Sequence, residues 1–344
     1  MKAMILRKLG ELKADENRLE LIDVPIPKPL NSELLVKVMA CGVCHTELDE
    51  IEGRTPPPKL PIIIGHQVTG RVEKTGGRTK KFKTGDRVGV GWIYSSCGKC
   101  SFCSKGNDNL CPEFKATGRD FNGGYAQYMV VPESAAFAIP DIFSYSEAAP
   151  LLCAGAIGYR SLKLSGLKNG QSLGLTGFGA SAHLVLKMAK HLFPQSSIFV
   201  FARSDKERKF AKDLGAYWSG DIGEEPLQQL ESIIDTTPAW GPVVESLKCL
   251  KPGGRLVINA IRKEETDKES LLRLDYPLHL WMEKEIKSVA NVSRADISEF
   301  LQLAALIPVK ADFQEFLLED ANKALGELKA GKIRGAKVLR IGDD

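Results

Sequence analysis

The chain has 344 residues with 47 Lys and Arg against 43 Asp and Glu, a formal net charge of +4. That length predicts two domains, each able to bury its own core. A charge this small and this evenly spread argues against nucleic acid or a membrane surface as the partner, and the apolar content of 43% is that of an ordinary globular protein.

The N-terminal run MKAMILRKLGELKADENRLEL lacks a long apolar segment followed by a small-residue cleavage site, and no stretch is apolar for long enough to span a bilayer. The expectation is therefore a cytoplasmic protein. In that compartment eight Cys are read as metal ligands or nucleophiles before disulfides.

Up to about Cys153 the chain is a series of short β-like runs, ELLVKVMACG, GRVEKTGG, DRVGVGW and YAQYMVVP. Gly65, Gly85 and the pair Gly123 and Gly124 punctuate them as turns. The pattern predicts an antiparallel, barrel-like domain. Within it, SSCGKCSFCSKGNDNLC sets Cys97, Cys100, Cys103 and Cys111 at C-x2-C-x2-C-x7-C. Short x2 steps let one turn of backbone present several thiolates to one tetrahedral zinc, and four ligands leave no open position, so such an ion is structural. The alternative, a pair of disulfides, suits neither the x2 spacing nor the expected compartment.

From about Ala154 strands alternate with helices. QSLGLTGFG reads as a strand ending in a glycine turn, SAHLVLKMAKHL as a helix, SIFVFA as a strand and DKERKFAKDLGA as a helix. SIIDTT, GRLVINA and IKSVAN are further apolar runs, with VVESLKCLKPGG as a helix between two of them. This alternation predicts a doubly wound parallel sheet. DISEFLQLAALI to AKVLRIGDD then adds two helical patterns and a terminal strand, with Asp343 and Asp344 as a frayed tail.

Gly177, Phe178, Gly179, Ala180, Ser181 and Ala182 fit G-x-G-x-x-A between a strand and a helix. The first Gly makes the tight turn, the second admits a pyrophosphate, and the small third residue lets helix and strand pack. Free N–H groups at the helix start favour phosphate. The next strand ends in Ala202, Arg203 and Ser204 and lacks the acid that bonds the ribose of NAD. Arg203 offers a fork of donors to a 2′-phosphate and Ser204 a hydroxyl, which points to NADP. The alternative is NAD, with Asp205 on the ribose, although Asp205 suits the first turn of the following helix.

Cys44, His66 and Cys153 are scattered candidates for a second site, since a Cys2His set with one open position is a catalytic zinc arrangement. Taken singly, a Cys is most often a small buried hydrophobe and a His a structural hydrogen-bonder.

CGVCHTELD, PIIIGHQVTGRV, the four-Cys segment, NGGYAQYMVVP, APLLCAGAIGY and TGFGASAH occur in an order that resembles the zinc-containing alcohol dehydrogenases of the medium-chain dehydrogenase/reductase family, from about Met1 to Ile341. The resemblance implies an α/β protein with a GroES-like β-barrel catalytic domain, residues 1–154 and 293–344, carrying a zinc lobe at about 95–113. A Rossmann domain, residues 155–292, interrupts it.

It further implies that Cys44, His66 and Cys153 hold a catalytic zinc, making two zinc ions per chain, and that Thr46 relays the alcohol proton. His45 corresponds to a contact with cofactor phosphate, Arg294 to a contact with the pyrophosphate, and Glu47 to a group holding the ligand His from behind. Two positions depart from the family. Gln67 replaces a Glu after the ligand His, leaving a more positive metal. Asp49 replaces a His that ends the proton relay, so the relay ends on Asp49, on His45 or in solvent.

The expected reaction is reversible oxidation of a primary or secondary alcohol to an aldehyde or ketone, with a small-molecule substrate and a homodimer or homotetramer. Trp92 and Ile93 are candidates either for the substrate pocket or for simple core packing. Two other classes remain as alternatives: a catalytically silent zinc-binding regulator on the same fold, and a thiol redox protein using Cys41 and Cys44 as C-x-x-C.

Overall fold

The computed structural model describes residues 1–13, 17–307, 309–332 and 334–342. The expected frayed tail at Asp343 and Asp344 lies outside the described residues. Contacts divide the chain into two compact units, one formed by Met1–Ala156 with the segment from Val292 onward, the other by Ile157–Asn291. Among the described residues no helix is long and apolar enough to cross a membrane.

The first unit opens with β1 (Lys2–Leu6), β2 (Leu19–Asp23), β3 (Glu33–Val43), helix α1 (His45–Ile51), β4 (Ile62–Ile63), β5 (Val68–Thr75) and β6 (Arg87–Val90). There follow β7 (Ile93–Ser95), β8 (Lys115–Ala116), β9 (Tyr128–Pro132), β10 (Ala136–Ala138) and a short helix α2 (Tyr145–Ala148). Helix α3 (Ala154–Ser165) leads into the second unit. That unit holds β11 (Leu173–Thr176), α4 (Ala180–Leu192), β12 (Ile198–Phe201), α5 (Asp205–Asp213), β13 (Trp218–Gly220), β14 (Leu230–Asp235), α6 (Gly241–Lys248), β15 (Leu250–Ile258) and β16 (Glu285–Ser288). The chain then returns to the first unit with α7 (Arg294–Leu306), β17 (Phe313–Leu317), α8 (Ala321–Lys329) and β18 (Ala336–Arg340).

In the first unit β3 is the organising strand. It pairs antiparallel with β5, β9 and β18, within a sheet ordered β10-β6-β5-β3-β18-β17. Its burial is nearly continuous because both faces pack, which is why ELLVKVMACG reads as a run and not as an alternation. This is the GroES-like barrel that the resemblance implies.

In the second unit all pairings are parallel, in the order β13-β12-β11-β14-β15-β16. The order reverses between β11 and β14, and a doubly wound sheet binds its ligand at the carboxyl ends of the strands on either side of such a switch. Gly177 stands at the end of β11. The Rossmann expectation therefore holds, with one local correction: the helix read over VVESLKCLKPGG stops at Lys248, and β15 begins at Leu250.

Candidate metal and cofactor sites

Cys44 leaves β3 in an extended conformation and caps α1. Its sulfur accepts the amide of Thr46 at 3.3 Å, and its own amide donates to Glu47 at 2.9 Å. This reciprocal box satisfies two amides that a helix start otherwise leaves open. The sharp turn that ends α1's entry therefore fixes both Cys44 and the Glu47 carboxylate.

His66 is brought to the same place by the turn after β4. Gly65 has φ +101, and a Cβ there would come within 2.3 Å of the Tyr125 ring, so only glycine passes. His66 is buried, and its Nδ1 lies 2.6 Å from Glu47 Oε1. Nε2 is then left facing the thiols of Cys44, at 3.8 Å, and of Cys153, at 3.2 Å. Cys153 arrives from the helical turn Ala149–Leu152, and the three donor atoms all lie within 4.8 Å of one another.

Such a set fits zinc. Its sulfur and imidazole donors are the right type, the imidazole is locked in the tautomer that presents Nε2, and three donors leave a fourth position open. The electrostatics agree. Hydrogen bonding to Cys153 and burial push the Cys44 thiol well up, and burial opposes charge on His66, yet the Glu47 carboxylate and Cys44 raise His66 well above its ordinary value. Protons crowd where a dication would displace them.

Cys97, Cys100, Cys103 and Cys111 also place their sulfurs within 4.8 Å of one another. Amides of Lys99 and Cys100 draw Cys97 down to about 7, whereas desolvation and a neighbouring thiol hold Cys103 up at about 11. Two thiols of one cluster drawn in opposite directions, with all four sulfurs gathered at one place, suit a closed cation site. The four sulfurs gather as one group and not as two bonded pairs, which favours a metal site over the paired-disulfide alternative.

The rest of α1 and its surroundings are equally specific. Thr46 is half-buried beside Cys44 and His45 is exposed. Asp49 is buried and its carboxylate accepts Arg54 Nε at 2.5 Å. Gln67 is buried and folds over Gly42, where a Cβ would meet its Oε1 at 2.6 Å. Ile93 is fully buried, and the Trp92 ring stands edge-on to His66 at 6.5 Å. Arg294 begins α7, but its Nη1 is held by Asp108, at 2.7 Å, and by Ser96, at 2.8 Å, on the four-Cys segment.

In the second unit Gly177 has φ +78, and a Cβ would meet Thr236 Oγ1 at 2.9 Å. Gly179 caps α4 with nothing within 4 Å of a built Cβ, and no side chain caps the helix start. The first glycine is demanded by the turn and the second leaves open space before unpaired amides, as phosphate requires. Ala180 and Ser181 follow in the first turn, Ser181 accepting Asn259 at 3.2 Å, and Ala182 is fully buried. The Phe178 side chain is core, against Phe210 at 5.5 Å, leaving only its backbone to a ligand.

At the end of β12, Ala202 is buried and Arg203 exposed. The Ser204 hydroxyl is engaged in capping α5, donating to Glu207 at 2.8 Å and accepting the Glu207 amide at 3.2 Å. Asp205 is 95% exposed and pairs with Arg208, whose Nη1 also donates to the carbonyls of Ala202 and Arg203 at 2.7 and 3.1 Å. Arg208 is thus a second guanidinium at this turn. Sequence reasoning passed over it because one more cation in DKERKFAKD carries no signal. It also passed over Glu50, a buried acid on α1 that looks like any helix-surface residue in the sequence.

A family profile for the alcohol dehydrogenase GroES-like domain matches residues 31–141. The chain is 40% identical to a probable alcohol dehydrogenase of Mycobacterium tuberculosis over 99% of its length and 97% of that protein. Among solved structures it is similar to a cinnamyl alcohol dehydrogenase of Sorghum bicolor, with TM-score 0.84 and 26% identity over 98% of this chain and 97% of the other. It also shares its fold with a cobalt- and zinc-bound thermostable alcohol dehydrogenase of Pyrobaculum aerophilum, with TM-score 0.87 and 24% identity over 99% of both chains.

Proposed function

The chain belongs to the zinc-type medium-chain alcohol dehydrogenases, and from that premise we propose a zinc-dependent reversible oxidation of primary or secondary alcohols that favours NADP(H) over NAD(H). It is an alcohol oxidoreductase. One zinc belongs to Cys44, His66 and Cys153 and a second to the four-Cys segment. Residues 1–154 and 293–344 serve as the catalytic domain, and residues 155–292 bind the dinucleotide.

The convergence of Cys44, His66 and Cys153, with His66 locked by Glu47, carries this reading. A zinc ion bound there supplies Lewis acidity toward an alcohol or carbonyl oxygen, and a bound nicotinamide supplies or takes the hydride. The protein's own groups do the rest. Glu47 holds the His66 tautomer and orients its ring. Thr46, next to Cys44, passes the alcohol proton outward through its hydroxyl. Gly177 and Gly179 open room for the pyrophosphate before the amides of α4. Arg203, supported by Arg208, attracts a 2′-phosphate, and the solvent-facing Asp205 leaves the ribose of NAD without a carboxylate. The cofactor roles of His45 and Arg294 rest on the resemblance alone, Arg294 being engaged with Asp108.

Eight free thiols suit a reducing cytoplasm. A homodimer or homotetramer is supported by the exposed Leu272, Tyr276, Trp281 and Met282, which run up to β16, the open edge of the parallel sheet. Initial rates with NADPH and NADH against a panel of aldehydes, run beside metal analysis, test the proposal. Two zinc ions per chain and faster turnover with NADPH are expected. One zinc at full activity, or no aldehyde reduced, refutes it.

A further inference from the structure

Glu50 is fully buried on α1, and among the described residues neither of its carboxylate oxygens has a hydrogen-bond partner. It stands four residues after Thr46 and three after Glu47, positions that share a face of the helix. Helical side chains lean back over the preceding turn, which carries Glu50 toward the layer of Glu47 and His66. The charges acting on it agree with that placement. Burial and Glu47 oppose its ionised form, whereas His66, Arg119 and the Trp92 indole favour it. Trp92 in turn lies edge-on to His66, and its Nε1–H is buried without a bond of good geometry.

A buried carboxyl with no hydrogen bond of good geometry works against folding, and native proteins keep few of them. Those that persist are offset by a charge or serve a purpose that outweighs the loss. His66 and Arg119 offset part of the carboxylate's charge, and a dication in the Cys44, His66 and Cys153 group would be the largest positive charge in the neighbourhood. Gln67, directly after His66, is neutral and adds none.

We infer that Glu50 is a positioning residue for that cation: from behind Glu47 and His66 its carboxylate strengthens the group's hold on a dication without being one of its ligands. The inference rests on the reading that Cys44, His66 and Cys153 take a zinc ion. The coupling is reciprocal. If the cation favours the ionised carboxylate, the carboxylate favours the cation by the same free energy.

The test is zinc affinity by competition with a chromophoric chelator, on full-length wild type and on Glu50→Gln, Glu50→Met and Glu50→Asp. The four-Cys segment serves as the internal reference, and thermal unfolding of the zinc-free proteins is followed in parallel. The neutral variants should release zinc from the Cys2His group at about 10- to 100-fold lower chelator strength, in line with other groups that support ligands from behind. They should retain the four-Cys ion and be at least as heat-stable as wild type when zinc-free. The cobalt-substituted protein should keep its thiolate-to-metal absorption bands, because the ligands are unchanged. Glu50→Asp should stay closer to wild type than either neutral variant. Neutral variants that hold zinc as tightly as wild type overturn the inference, and so do neutral variants that fail to fold, since Glu50 would then be structural. A wild type that takes no ion at Cys44, His66 and Cys153 sinks the underlying reading and this inference together, whereas loading in wild type with equal loading in the variants sinks the inference alone.

Discussion

His66 Nδ1 and Glu47 Oε1 lie 2.6 Å apart, and the other oxygen of the same carboxylate accepts the amide of Cys44 at 2.9 Å. One side chain thus aims one ligand and fixes the backbone of another. The helix cap and the metal group are a single construction, so a change at Glu47 acts on both.

Glu47→Gln keeps the shape and removes the charge. The amide can still cap α1, but it no longer favours the His66 tautomer that presents Nε2. Zinc affinity at the Cys2His group, or kcat/KM, should fall about 10- to 100-fold. Glu47→Ala should add roughly 1 kcal/mol of lost helix stability, because the capping box is broken as well. Zinc content by metal analysis and stability by chemical denaturation separate the two effects. Full zinc and full turnover in Glu47→Gln would show the contact to be incidental.

The four-Cys segment is read as structural and should behave so. Cys97→Ser should destabilise the protein by about 3 kcal/mol or more, because a closed metal site contributes folding energy. The same segment carries Asp108, whose carboxylate holds Arg294 at the start of α7 at 2.7 Å. Asp108→Asn should therefore weaken the anchoring of α7 while leaving zinc in place. Metal analysis and thermal unfolding of both variants check this. A Cys97→Ser protein as stable as wild type would remove the structural role.

The four-Cys site was legible from spacing because its members lie within one short loop. Cys44, His66 and Cys153 were not, being separated by 22 and 87 positions around His66, and only the resemblance assembled them. The parallel sheet was readable through its apolar runs and glycine turn. Strand β17, FQEFL, was missed because its exposed Gln314 and Glu315 break the apolar pattern. The overlong helix at VVESLKCLKPGG arose because Leu247 and Leu250 keep helical spacing across a real chain reversal. Glu50 was invisible because burial of an acid is decided by what packs against it in the fold, and no local pattern encodes that.

Asp49 stands where the relay was left open, and its carboxylate is committed to Arg54 at 2.5 Å. That pairing ties the chain after α1 back to the helix and makes Asp49 a poor acceptor for a travelling proton. Thr46→Val should lower turnover by at least about 100-fold with zinc retained, the usual loss for a positioned proton-transfer group. Asp49→Asn should leave turnover close to wild type and instead destabilise the fold by about 1–2 kcal/mol, discounted because Arg54 is 33% exposed. Steady-state rates and urea unfolding of the two variants decide. Turnover in Asp49→Asn as poor as in Thr46→Val would put Asp49 in the relay, leaving His45 and solvent aside.

The cofactor turn makes the most specific claim about specificity. β12 ends in Ala202, Arg203 and Ser204, and Asp205, the acid weighed as a ribose partner, is 95% exposed and engaged with Arg208. A 2′-phosphate beside Arg203 gains a charge-assisted contact of about 1.5–3 kcal/mol. This amounts to roughly a 10- to 100-fold preference for NADP(H) in catalytic efficiency. Because Arg203 is exposed, the preference should shrink as salt rises. Arg203→Ala should erode it, and Arg208→Ala should erode it further while freeing Asp205. Ala202→Asp should reverse it by supplying a ribose acceptor that repels the phosphate. Ala202 is buried, so circular dichroism must first show that this variant folds. Kinetics with equal or better efficiency for NADH at low salt, unchanged in Arg203→Ala, would mean that Asp205 turns inward to the ribose and that the protein uses NAD.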